Sequence, residues 1–130
     1  MHLDRRLGDP GIFVTNAERA WLNWERLGHS AVVEHLATRD DALPGMATPR
    51  LAARALIDHM LRASQEPGMH VFVSHDAIVG PTAAWLVERT IPLGTWPDFL
   101  DGLLVWRADD QLWLDCPGLL SSPRIVSASG

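Results

Sequence analysis

The residues whose chemistry is most worth following are His75 and Asp76, adjacent within MHVFVSHDAIVGPTAAWL, residues 69–86. An imidazole beside a carboxylate places a proton acceptor and a proton donor within reach of one substrate atom. The apolar run before the pair and the helical pattern after it put the pair at the carboxyl end of a strand, where open α/β folds bind ligands. The free N–H groups of the helix that follows favour an anion there, and phosphate is the usual occupant. The competing reading is a histidine that only caps the helix or is satisfied by hydrogen bonds in the core.

Other side chains compete with this pair as candidates. Six tryptophans are many for 130 residues, and core packing accounts for those on helical or strand faces. Trp21 and Trp24 lie three apart and could form one wall of an apolar ligand pocket, which makes them candidate ligand-binding residues. Metal binding finds no support: His70 and His75 would face opposite sides of a strand, and His29 and His35 straddle a helix start. Asp58 and His59 read as a solvated helix edge, and the lone Cys116 as an inert thiol that excludes an internal disulfide. No P-loop, dinucleotide fingerprint or serine elbow occurs, so no metal and no cofactor is expected.

The elements that must hold the pair can be read from periodicity. Thr15 and Glu18 have capping-box spacing, and Ala17, Ala20, Trp21, Trp24 and Leu27 recur at helical period, which predicts a helix over 16–27 ended by Gly28. Ser30 caps a shorter helix through AVVEHLAT, and RDDALPGMA is a connecting loop. Thr48 and Pro49 open a third helix over 49–64. Residues 69–74, rich in Val and Phe without polar alternation, read as a central strand covered on both faces. A fourth helix is expected over 80–90 with Pro81 near its start, and 103–106 with 112–114 form a hairpin across ADDQ. A tail from Pro117 onward has little to bury and is expected to be partly disordered unless it docks on a partner.

Composition bounds the rest. A 47% hydrophobic and 21% charged chain of this length fits one globular domain, and no apolar run reaches the roughly 20 residues that span a bilayer. No secretory signal opens the chain, so the cytoplasm is the default expectation and no membrane association is expected. The net charge is −5, and the eleven basic residues, all arginine, are scattered rather than clustered, which argues against nucleic-acid binding. Abundant Ala, Arg and Leu without Lys or Tyr suggest a GC-rich bacterial genome.

Residues 69–86 resemble the second-histidine segment of the histidine phosphatase, or phosphoglycerate mutase-like, superfamily, where an apolar strand ends in Ser-His before a small loop and a helix. The order of elements agrees over roughly residues 3–116. The resemblance implies an α/β fold, a truncated phosphoglycerate mutase-like three-layer sandwich with a small sheet flanked by helices, over 1–116, followed by the tail 117–130. It also implies a phosphate pocket in which His75 bonds the transferring phosphoryl group and Asp76 matches the proton donor of the acid-phosphatase branch. The Arg-His-Gly motif that carries the family's nucleophilic histidine occurs nowhere in this chain. The resemblance therefore implies the second half of such a domain. Two readings follow. In one, the chain has lost phosphoryl transfer and uses its cleft to bind or transform a small molecule, in a bacterial biosynthetic pathway. In the other, a partner chain supplies the missing half and the assembly hydrolyses a phosphomonoester. Either way, the strand at 69–74 would lack its neighbour, which predicts a homodimer or heteromeric partner over the open edge.

Overall fold

The computed structural model describes residues 2–8, 11–87, 102–117 and 120–126. It is a small α/β domain in which four helices, α1 (Ala17–Leu27), α2 (His29–Thr38), α3 (Pro49–Ala63) and α4 (Asp76–Val87), precede three strands. The strands β1 (Leu104–Ala108), β2 (Gln111–Asp115) and β3 (Arg124–Val126) form one antiparallel sheet in that order.

Helix α1 begins one residue later than capping-box spacing predicts, because Asn16 rather than Thr15 supplies the cap: its Oδ1 accepts the N–H of Arg19 at 3.0 Å. Gly28 ends α1 with φ 83° and ψ 162°, a region open in practice only to glycine, and α2 starts at once on His29 without a side-chain cap from Ser30. Pro49 stands in the first turn of α3, as its fixed φ favours, although the Thr48 side chain makes no capping bond.

The largest departures concern the segment 69–74 and α4. Among the described residues, 69–74 take part in no strand pairing, since the three strands pair only with one another. The expected strand covered on both faces is replaced by an unpaired segment that is exposed at Met69, His70, Val71 and Val73 and half-buried at Phe72 and Ser74. Phe72 packs inward, while Met69, Val71 and Val73 are 87%, 76% and 83% exposed. Strand propensity is local, whereas pairing requires a neighbour that the described residues do not provide.

The centre of the fold is α4. It starts at Asp76, four residues before the expected start, so Pro81 lies inside the helix and removes one backbone N–H from its ladder. The helix is apolar all round and correspondingly buried, from Ala77 and Ile78 through Ala83, Ala84, Leu86 and Val87. Helices α2 and α3 flank it, and β3 touches its far end. Its first turns join a core with Phe13, Val32, Leu36, Ala53 and Leu56, and its last turns join Ile57, Leu114, Leu120 and Val126.

The hairpin forms as expected, with Trp106 opposite Trp113 and their rings stacked 6.2 Å apart. Asp109 and Asp110 turn the chain with φ 52° and 60°, the paired positive values of a type I′ turn. Part of the tail beyond Pro117 is structured: Arg124, Ile125 and Val126 pair with β2, and Leu120 and Val126 are buried. No helix among the described residues is long and apolar enough to cross a membrane.

Candidate functional site

His75 is the residue from which α4 departs: its carbonyl accepts the N–H groups of Ile78 and Val79 at 3.0 and 2.9 Å. Asp76 is the first helical residue, where a carboxylate faces the positive end of the helix dipole. The two side chains stand side by side, His75 Nδ1 lying 4.0 Å from Asp76 Oδ1, an ion-pair distance too long for a hydrogen bond. Their side chains are 54% and 40% exposed, so the pair is open to solvent.

The sequence reading missed a third member, His29, whose Nε2 lies 3.2 Å from Asp76 Oδ2. Its other ring nitrogen, Nδ1, accepts the indole N–H of Trp24 at 3.2 Å. Indole nitrogen can only donate, so Nδ1 must accept, and the proton of the neutral ring sits on Nε2 and points at the carboxylate. Trp24, His29 and Asp76 thus form one directed chain of donors ending at a carboxylate, with His75 on its other side. The backbone arranges this locally: Trp24 is in the last turn of α1, Gly28 reverses the chain, and His29 returns beneath the indole. A tryptophan five residues before a histidine, with glycine between, is the only local sign of the contact. The 47 residues separating His29 from Asp76 carry none.

Of the two tryptophans expected to form one wall, Trp24 is brought to this cluster. Trp21 is 62% exposed and donates instead to Glu25 on its own helix at 3.1 Å. A shallow surface depression of about 450 Å³, lined by Arg19, Leu22, Asn23, Glu25, Arg26 and Pro44, includes none of Trp24, His29, His75 and Asp76. The side chains of His29, His75 and Asp76 are 56%, 54% and 40% exposed, so the titratable cluster is open to solvent.

Three of the other four histidines, His35, His59 and His70, make hydrogen bonds within the fold. His59, expected on a solvated edge, bonds the carboxylate of Asp4 and fastens the N-terminal segment to α3. Asp4 is held below the usual carboxylate range, first by the backbone N–H of Arg6 and then by His59. His35 and His70 bond the carbonyls of Asp41 and Glu66 at 2.7 and 2.8 Å. Ser74 donates to the carbonyl of Leu7 at 2.6 Å, which ties the residue before His75 to the N-terminal segment. Cys116 is buried, with its thiol directed at the carbonyl of Gly102. Among the described residues, no three His, Cys, Asp or Glu side chains are placed to hold a metal ion.

Comparison of the chain with protein-family models, with curated proteins and with solved structures finds no match.

Proposed function

We propose that this chain is a histidine-phosphatase-like protein that uses the cluster of His29, His75 and Asp76 to bind or transform a small molecule by acid-base chemistry. The observation that carries this reading is the carboxylate of Asp76 bonded by His29 at 3.2 Å and flanked by His75. A carboxylate so placed can receive or return a proton while a neighbouring imidazole faces the same ligand atom. In this reading the fold is a phosphoglycerate mutase-like sandwich in which 69–74 occupies the place of the strand before Ser74 and His75. The supporting feature is the order of apolar segment, Ser-His and helix. With no Arg-His-Gly tripeptide in these residues, phosphoryl transfer through a histidine of that motif is not assigned to the chain alone. The setting proposed is the cytoplasm of a bacterium, in a biosynthetic pathway, with a small or phosphorylated molecule as ligand.

A second reading, a phosphomonoester hydrolase completed by a partner chain that brings the Arg-His-Gly half, is favoured by one observation. The row Met69, Val71 and Val73 is bare directly before the site. Hydrolysis of a generic phosphomonoester by the purified chain, compared with H75A, separates the two. The leading reading expects no turnover but binding of inorganic phosphate or a small acid, measured by NMR shifts of the His29 and His75 rings and lost in D76A. Turnover that disappears in H75A would overturn it in favour of the hydrolase.

A further inference from the structure

We infer that residues 69–74 are an edge on which a second copy of this chain docks, antiparallel, about a two-fold axis through Val71. No backbone hydrogen bond joins these residues to any other described residue, so the N–H and C=O groups of an extended segment are left to pair elsewhere. Its outward row is Met69, Val71 and Val73, while Phe72 and Ser74 hold the segment to the body, one through the core and the other through the carbonyl of Leu7. The edge is therefore anchored on one side and bare on the other.

What identifies the occupant is self-complementarity. In an antiparallel pair, directly opposed side chains share a face, so a two-fold axis matches odd positions with odd ones. Centred on Val71, the axis sets Met69 of one copy opposite Val73 of the other, Val71 opposite Val71, and Val73 opposite Met69. All six apolar side chains then meet. Between Pro67 and His75 there is no Asp, Glu or Arg, so a chain of net charge −5 meets its copy here without like charges directly opposed. The row also runs straight on to His75, which shares its outward parity, so docking closes the open side of the cluster with the second copy's Pro67. A strand pair of this length falls below about 1,200 Å² in total, the size of a weak complex. The expected dissociation constant is on the order of 10–100 µM.

The test is sedimentation equilibrium on the full chain across that concentration range, with V71K, V71E and their equimolar mixture. Val71 is 76% exposed, so both variants should keep the wild-type circular dichroism spectrum. Wild type should move toward twice the 14.4 kDa chain mass, each variant alone should associate at least tenfold more weakly, and the mixture should recover association. I125K, on the exposed outer face of the sheet, and H29A, which takes the cluster apart, should both dimerise like wild type. Failure of the acid-base reading would therefore leave this result untouched. A wild type that stays monomeric, a V71K that associates normally, or a mixture that does not recover would each overturn the inference. A monomer that instead binds an extended apolar peptide would overturn it in favour of a different partner.

Discussion

The directed chain from Trp24 through His29 to Asp76 makes a prediction about a single proton. W24F keeps an aromatic ring on the last turn of α1 and removes only the indole N–H. In wild type, the donor at 3.2 Å from Nδ1 and the acceptor at 3.2 Å from Nε2 both demand the tautomer with its proton on Nε2. A neutral hydrogen bond contributes about 0.5–1.5 kcal/mol net, and the 56% exposure of His29 places this one in the lower half of that range, about 0.5–1 kcal/mol. With RT near 0.6 kcal/mol, losing it should shift the tautomer ratio of His29 about two- to fivefold toward the Nδ1-protonated form. Long-range proton–nitrogen correlation spectra at mildly alkaline pH report the protonation of each ring nitrogen, and the His29 signals are assigned by their absence in H29Q. D76A removes a charge-assisted bond from the other nitrogen and should shift the ratio in the same direction, and further. A wild-type His29 already protonated on Nδ1, or a ratio unmoved by W24F, would refute the geometry.

Three further outcomes follow from the structure. G45A should cost more than about 1 kcal/mol, because Gly45 has φ 73° and an added Cβ would lie 2.6 Å from the backbone nitrogen of Ala20; urea unfolding measures it. T82V should raise the melting temperature by about 3–5 °C, because Thr82 is 2% exposed, its hydroxyl has no hydrogen-bond partner among the described residues, and its removal relieves about 1 kcal/mol of desolvation. D4N should flatten the acid side of the stability profile. A carboxylate with a lowered folded-state value stabilises fully above its ordinary value near 3.8 and loses that contribution as pH falls through the lowered one. Melting temperatures from pH 6 downward should therefore fall less steeply below about pH 4 in D4N than in wild type.

What could be read from the sequence was what is local. Apolar periodicity located α1 and α3 to within a residue or two, and the turn at Asp109 and Asp110 announced its hairpin. The pair at His75 and Asp76 was visible because its two members are neighbours. His29 was not, because nothing in residues 29–38 records that α2 will lie along α4 and bring the first residues of both helices together. The run at 69–74 was read as a covered strand because Val and Phe signal burial on average, and the signal cannot say whether the cover belongs to the same chain. Pro81 misled for a related reason: its residue type favours a first turn, but the surrounding apolar contacts keep the helix going on both sides of it.

The burial of α4 on every side has a consequence for how the cluster moves. Local opening is hardest where apolar contacts are densest, so the amides of α4 beyond its first turn should exchange with solvent only through global unfolding. The unpaired amides of 69–74 should exchange almost as fast as those of a free peptide. His75 and Asp76 sit on the boundary between these two regimes, one residue apart. Asp76 leads into the slowest part of the molecule, while His75 closes the fastest. Anything that orders the segment before His75 would be felt first at the imidazole and passed on to the carboxylate 4.0 Å away.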